Sequence, residues 1–219
     1  MPEELPPLIE VLPSISILRS QFTTLPFCPK YSDDSRSPNA GEALGLLSIP
    51  LPVTRVKVEE AAAKFLGYGV GEGGQGSVII RSGALGAYVV SRTTKGRWVE
   101  AFWGPNDLHH VVDVTGTPNP DPLLRFDAEY WTKGAGNAFL GGLGAGLKFT
   151  QDIYEGEMVL GGAVFPLTRS AAVLYASVSA SFVIEQEGLP LMEPDGASWR
   201  WNGDSPQRRL TDLRNRSSH

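Results

Sequence analysis

The chain has 219 residues, of which 42% are hydrophobic, and its formal net charge is -5. The length allows one ordinary domain with a hydrophobic core, and the composition is that of a globular protein. An acidic chain is a poor candidate for nucleic-acid binding, which depends on Lys and Arg neutralising phosphates. Because the one cysteine, Cys28, cannot form an internal disulfide, a reducing, cytoplasmic location is expected. No membrane partner is expected, since no segment approaches the roughly 18 apolar residues of a membrane helix.

The first part of the chain, residues 1–36, is rich in Pro, Ser and Asp and shows no regular periodicity. We predict an irregular arm there, with one strand near residues 8–11. Asn39 then stands at a helix N-cap position, with Glu42 three residues later, which is the spacing of a capping box. This pair predicts the start of the first helix.

A second helix is predicted from apolar residues at helical spacing, and Gly67 and Gly69 are expected to end it. Its predicted buried face consists of Val58, Ala61, Ala62, Phe65 and Leu66. Short apolar segments follow, and they predict β-strands over residues 77–80, 86–91, 97–102 and 109–114.

The second half of the chain is predicted to be mainly helical. A glycine-rich turn enters a helix at Gly134, and residues 156–164 and 168–186 predict two more helices. The last of these is rich in small residues, which suit close packing against a sheet. Residues 191–219 are predicted to form a polar C-terminal tail. Because helices and strands alternate along the chain, we predict an α/β fold.

The most informative segment is a motif in two parts, at residues 113–116 and 134–142. The two parts are separated by an insert of 18 residues. The insert is residues 117–134 or, in the equivalent register, residues 116–133. Without the insert, the motif reads DVTGAGNAFLGG. A Gly-Ala-Gly turn that opens a helix directs free backbone amides and the positive end of the helix dipole at one point, which suits a phosphate group.

The joined motif resembles the signature D-T-x-G-A-G-D-x-F of the PfkB/ribokinase family of carbohydrate kinases. The resemblance covers residues 37–190 and implies a ribokinase-like three-layer α/β/α sandwich with a mostly parallel sheet. Nothing in residues 1–36 resembles the part of the family that binds the sugar. The fold is therefore expected to be truncated at its N-terminal side, with one edge of the sheet uncovered.

The resemblance also implies roles for the residues of the turn. Gly134, Ala135 and Gly136 would form the anion hole for the transferred phosphate, with ATP as the donor and a small sugar-like molecule as the acceptor. Asn137 occupies the position of the catalytic Asp that acts as general base. Since an amide cannot take up that proton at neutral pH, we expect catalysis to be impaired. A subset of fungal-type family members carries the same Asn, which we interpret as a lineage feature.

Further positions match the family in the expected order. Asn39 and Glu42 match an N-x-x-E motif that organises Mg²⁺ through water, although a helix N-cap explains this pair equally well. Gly83 matches a glycine that lies close to the nucleotide phosphates, and Arg81 stands where Thr is more usual. Asp113 matches an Asp that helps to bind a monovalent cation.

The insert separates Asp113 from the anion-hole turn. Because a preorganised site tolerates displacements of only about 0.5 Å, a long loop within the motif is expected to disturb it. Removal of the insert restores the motif without a gap, so we interpret it as a retained intron or a mis-joined exon.

Three other patterns favour structural explanations. The G-x-G-x-x-G sequence at residues 71–76 follows a predicted helix and precedes a strand, the reverse of the dinucleotide-binding order, which favours a surface turn. The glycines of residues 142–146 lie within a predicted helix and lack the Lys of a Walker A loop, which favours helix packing. His109 and His110 are adjacent on a predicted strand and would face opposite sides, which disfavours a shared zinc ion.

Three functional interpretations follow. The chain is an ATP-dependent and Mg²⁺-dependent phosphotransferase acting on a sugar or related alcohol, or a non-catalytic nucleotide-binding or scaffold protein derived from that family. The third interpretation is a mis-predicted gene fragment that does not fold stably alone.

Overall fold

The computed structural model describes residues 17–19, 39–70, 72–74, 76–107, 110–111, 134–152, 158–160, 163–165, 169–186 and 188–217. The helices within these residues are α1 (Ala40–Leu46), α2 (Arg55–Tyr68), α3 (Ala135–Asp152), α4 (Arg169–Val183) and α5 (Pro206–Arg216). The strands are β1 (Ile17–Arg19), β2 (Ser77–Arg81), β3 (Ala87–Ser91), β4 (Arg97–Val99), β5 (Met158–Leu160), β6 (Ala163–Phe165), β7 (Met192–Asp195) and β8 (Ser198–Trp201). The chain divides into two compact units, residues 1–98 and 99–219.

The main sheet has four strands in the order β1-β2-β3-β4. β1 runs parallel to β2, whereas β2 and β3 are antiparallel and joined by a short turn. The other sheets in the described residues are the antiparallel pairs β5–β6 and β7–β8. The predicted mixture of helices and sheets is therefore confirmed. The predicted mostly parallel sheet is not confirmed, because two strands that are joined by a short turn pair in the antiparallel direction. The three-layer arrangement and the N-terminal truncation stay predictions.

In the first unit, α1 and α2 pack against β2. α2 is capped by Thr54, whose hydroxyl accepts a hydrogen bond from the Lys57 amide at 3.3 Å. The helix continues through Gly67 and ends at Gly69, which has a φ of +90°. The prediction that Gly67 ends the helix is therefore wrong. The core combines the buried side chains of both helices with those of β2: Ala40, Ala43, Leu44, Val58, Ala61, Ala62, Phe65, Val78 and Ile80.

In the second unit, α3 and α4 pack very closely. A Cβ atom built on Gly142 would lie 2.8 Å from the Tyr175 carbonyl oxygen, and one on Gly146 would lie 2.8 Å from the Ala172 Cα atom. The predicted packing role of these glycines is confirmed. A sheet was predicted to pack against the small residues of α4, but their partner is the helix α3. The glycines of α3 allow the two helix backbones to approach each other closely.

Two segments differ from the predicted secondary structure. Residues 156–164 were expected to be helical. The structure instead has β5 and β6 there as an antiparallel pair, in which Met158 lies opposite Phe165. The sequence places Gly161 and Gly162 between two short apolar runs, which is typical of a hairpin, whereas each glycine costs a helix about 1 kcal/mol. β4 covers only Arg97–Val99 of the predicted strand at residues 97–102.

The C-terminal segment, predicted as a polar tail, contains the β7–β8 hairpin and α5. Ser205 caps α5 by accepting a hydrogen bond from the Arg208 amide at 3.3 Å, and Pro206 occupies the first turn. Trp201 packs edge-on against Phe182 with ring centres 5.6 Å apart. Among the described residues, no helix has the length and apolar character needed to cross a membrane.

Candidate functional site

The glycine-rich turn of the motif lies at the start of α3. Gly134 has a φ of +98° and immediately precedes the helix. The Ala138 amide donates to the Gly134 carbonyl at 2.9 Å, which closes the first helical turn. A positive φ favours glycine because other residues are strained there. The prediction that this turn opens a helix is confirmed.

The first three residues of α3 are Ala135, Gly136 and Asn137. Amides at these positions have no acceptor within a helix, and the helix dipole makes this end positive. Asn137 is exposed, and its side chain can exchange hydrogen bonds with a hydroxyl but cannot take up its proton at neutral pH. The turn can therefore hold an anion and orient a hydroxyl. The anion-hole role and the general-base position stay predictions.

The other described candidate residues belong to the first unit, where Asn39 caps α1. Its Oδ1 atom accepts a hydrogen bond from the Glu42 amide at 3.1 Å. Asn39 is exposed and Glu42 is half-buried. The predicted N-cap is confirmed, and it holds the Asn39 side chain and the Glu42 amide at the helix start.

Arg81, at the end of β2, lies within the electrostatic reach of Glu42. Burial lowers the pKa of Arg81 to about 10, and the negative charge of Glu42 acts in the opposite direction. Arg81 therefore remains a cation at neutral pH, although its guanidinium has lost much of its water. The structure brings these two predicted site residues together because α1 packs on β2.

A tight turn follows Arg81 and joins β2 to β3. The Ser82 amide donates to the Gly86 carbonyl at 2.7 Å, and the Gly86 amide donates to the Gly83 carbonyl at 3.0 Å. Gly83 has a φ of +56°, and a Cβ atom added there would have no neighbouring heavy atom within 4 Å in the described residues. The glycine is thus required by the backbone conformation, and the space beside it is open.

Asn39 Oδ1 accepts the capping hydrogen bond from the Glu42 amide, and the negative charge of Glu42 acts on Arg81. The role of Asn39 and Glu42 in organising Mg²⁺ through water stays a prediction. In the part of the chain that the structure describes, no group of three or more His, Cys, Asp or Glu side chains could hold a metal ion.

Other candidate residues fall outside the described residues or have a structural role. Asp113, His109 and the insert up to residue 133 lie outside them, as does the predicted strand at residues 8–11. His110 is described, and neither it nor Val111 lies in a strand. The His110 ring stacks on Trp103 with centres 4.2 Å apart. Packing thus accounts for the position of His110.

Comparison with known proteins finds two similarities. An uncharacterised protein of Schizosaccharomyces pombe is 27% identical over 179 residues, which cover 81% of this chain and 43% of that protein. A crystal structure from Clostridium perfringens, provisionally described as a sugar kinase, shares 19% identity and a TM-score of 0.43, over 81% of this chain and 39% of the other. The chain thus spans less than half the length of each. No family model matches the chain.

The structure also reveals a buried ionic cluster in the second unit that the sequence analysis missed. Arg209 is 4% exposed and forms ion pairs with Glu185 and Asp204. It also donates to the Ser181 hydroxyl at 2.9 Å, and its guanidinium lies 3.8 Å from the centre of the Phe182 ring. The cluster therefore joins α4 to the start of α5. Its role is structural, because its charges are satisfied within the unit.

One sequence signal could have located this cluster. Ser205 followed by Pro206 is typical of a helix N-cap and first turn, and it predicts α5. The preceding Asp204 then lies within reach of Arg208 and Arg209 in the first turn. The burial of Arg209 depends on Glu185 and the aromatic rings of distant segments, which no local pattern indicates.

Proposed function

We propose that the chain is a PfkB-type carbohydrate kinase-like protein that binds ATP through a phosphate site at the start of α3. The proposed ancestral reaction is phosphotransfer from ATP to a sugar or related alcohol. The observation that carries the proposal is the position of the turn: Gly134 immediately precedes the 18-residue helix α3, and Ala135 and Gly136 are its first two residues. Phosphate groups bind well at such helix starts because amides and dipole act together.

The proposed activity is impaired by the residue that follows the turn. Asn137 lies in the first helical turn and is exposed. At this position an Asp could remove the proton of a substrate hydroxyl, whereas Asn can only orient it. Loss of a general base lowers rates by about 10²–10⁴-fold. Asn137 therefore also supports a second candidate function, a non-catalytic nucleotide-binding or scaffold protein derived from the same family.

The proposal is tested by nucleotide-dependent thermal stabilisation of the full chain. We expect ATP to raise the Tm and adenosine to raise it less, because the phosphates supply most of the binding. Ala135→Glu places a negative charge where the phosphate would lie and should reduce the effect of ATP. Ala145→Glu is the matched control, since Ala145 is an exposed residue further along the same helix.

The outcomes separate the candidate functions. ATP stabilisation that Ala135→Glu abolishes and Ala145→Glu preserves supports the phosphate site. Equal effects of the two variants, or no stabilisation of the wild-type chain by ATP, would overturn it. Where ATP binds, turnover with a panel of sugars distinguishes an impaired kinase from a binding protein.

A further inference from the structure

Asn202 and Gly203 form the tight turn that follows β8. The Trp201 amide donates to the Asp204 carbonyl at 2.8 Å, and the Asp204 amide donates back to the Trp201 carbonyl at 3.0 Å. Asn202 has a φ of +52° and Gly203 a φ of +73°. Positive φ at both central residues is a feature of a type I′ turn, for which the sequence Asn-Gly is preferred. Gly203 is exposed, so that its backbone nitrogen lies in a turn at the surface.

The side chain of Asn202 joins this turn to α4 and to the segment before β7. Its Nδ2 atom donates to the Phe182 carbonyl at 2.9 Å and to a carboxylate oxygen of Glu185 at 3.0 Å. Its Oδ1 atom accepts a hydrogen bond from the Leu191 amide at 3.0 Å. The amide group of Asn202 is therefore held by three hydrogen bonds, and its rotation requires all of them to break.

An asparagine followed by glycine is chemically labile, because no side chain hinders attack by the glycine nitrogen. In deamidation the Gly203 nitrogen loses its proton and bonds to the side-chain carbonyl carbon of Asn202, and the side-chain nitrogen leaves as ammonia. Water then opens the resulting succinimide ring and gives an aspartate or an isoaspartate residue. The reaction needs only water, but it also needs the Asn202 side chain to rotate towards the Gly203 nitrogen.

We propose that Asn202 is a deamidation site that the fold keeps unreactive, and that its reaction irreversibly releases the β7–β8 hairpin from α4. The Asn202 side chain can rotate only in molecules in which the hairpin has left α4, which is a local opening of the structure. The product cannot restore the lost contacts, because a carboxylate has no N–H donor for the Phe182 carbonyl. Its negative charge would also lie beside the Glu185 carboxylate and be repelled by it.

The first experiment follows deamidation of the full chain at mildly alkaline pH by peptide mapping with mass spectrometry. Trypsin cleaves after Arg200 and Arg208, and Asn202 is the asparagine in the peptide between them. We expect the native chain to react at least about tenfold more slowly than the same chain unfolded in urea, because reaction requires opening. Equal rates in the two states would overturn the proposal, and so would an unfolded chain in which Asn202 does not react.

Two tryptophans of β8 provide a matched pair of variants. Trp201 packs on Phe182 of α4 with ring centres 5.6 Å apart, whereas Trp199 is 52% exposed. Each native deamidation rate is divided by the rate of the same variant in urea, which corrects for the direct effect of the neighbouring side chain. Trp201→Ala should raise this ratio about tenfold or more, because the open hairpin becomes more populated. Trp199→Ala should leave it within about twofold of the wild-type ratio.

Equal ratios for the two variants would overturn the proposal, provided that circular dichroism shows both to be folded. If Trp201→Ala does not fold, Trp201→Leu carries the test, since it keeps an apolar side chain and loses the ring contact with Phe182. Its ratio should exceed that of Trp199→Ala. A ratio equal to that of Trp199→Ala would reject opening of the hairpin as the controlling step.

Asn202→Asp tests the consequence, because it creates the aspartate product directly. Tryptic cleavage of the native variant after Arg200 should be at least about tenfold faster than in the wild type, since the released hairpin is open to the protease. A deamidated wild-type fraction, separated by ion exchange, should show the same increase. Asn215→Asp is the matched control, as Asn215 is exposed on α5. Cleavage of Asn202→Asp and of the deamidated fraction at the wild-type rate would overturn the proposed release.

Discussion

The Nε atom of Arg209 donates to a carboxylate oxygen of Asp204 at 2.8 Å, at a position where Arg209 is almost completely buried. Glu185 is the second carboxylate of this cluster, and the Trp103 indole also donates to Glu185 at 2.8 Å. A buried cation with two carboxylates is stable only while all members are present. The cluster thus makes the packing of α5 on α4 sensitive to single substitutions.

Arg209→Ala should lower the free energy of unfolding by about 3–5 kcal/mol, because two partly buried carboxylates lose their partner. The measurement is urea-induced unfolding followed by circular dichroism. Arg208→Ala is the control, since Arg208 also pairs with Asp204 but its side chain is 63% exposed. Equal losses in the two variants would contradict a structural role for burial at Arg209.

The same cluster predicts how stability depends on pH. Burial acts to raise the pKa of Asp204, but hydrogen bonds from Arg208, Arg209 and the Ser205 amide outweigh it, and the pKa lies below the usual 3.8. The stabilisation is therefore complete above about pH 4 and is lost as the pH falls through the lowered pKa. Unfolding measured from pH 6 to pH 2 should show this decrease. Asp204→Asn should have a smaller decrease over the same range.

The close contact between α3 and α4 predicts opposite effects of two alanine substitutions. Gly142→Ala should destabilise the protein by about 1–3 kcal/mol, because its Cβ atom would lie 2.8 Å from a backbone oxygen of α4. Gly141→Ala in the same helix should stabilise it by about 0.5–1 kcal/mol, since no described heavy atom lies within 4 Å. Thermal unfolding of both variants tests the contact, and destabilisation by Gly141→Ala would count against the described helix.

Two buried serines in the first unit form a further matched pair. The Ser91 hydroxyl is 2.7 Å from the Thr94 hydroxyl and accepts from the Thr94 amide at 3.0 Å. Ser91→Ala should therefore lower the free energy of unfolding by about 1 kcal/mol. Ser82→Ala should leave it unchanged or raise it slightly in the absence of ligand, because no described hydrogen bond is lost. A marked loss of stability in Ser82→Ala would indicate a structural role for its hydroxyl.

Asn137→Asp tests whether the missing general base limits catalysis. On the proposed function, ATP turnover with an accepted sugar should rise by a factor on the order of 10²–10⁴. The change should also stabilise α3 by about 0.3–1 kcal/mol, because a negative charge in the first turn interacts favourably with the helix dipole. Asn137→Gln retains the amide and should show neither gain. Stabilisation without turnover would favour the non-catalytic function.

The sequence by itself predicted the elements whose signals are local. The cap at Asn39, the buried face of α2, the strand β2 and the helix start at Gly134 each depend on a few neighbouring residues. The glycines of α3 were also predicted to serve packing. The roles of the motif residues in binding phosphate stay predictions, since they concern a ligand and not the folding of the chain.

Contacts between distant segments decided the rest. The partner of α4 is a helix because Gly142 and Gly146 admit its backbone, and the direction of β3 follows from the turn at residues 82–86. The proximity of Glu42 and Arg81 arises from the packing of α1 on β2. Burial then lowers the pKa of Arg81, because the loss of water disfavours the charged form. The residues next to Arg81 in the chain do not indicate this burial.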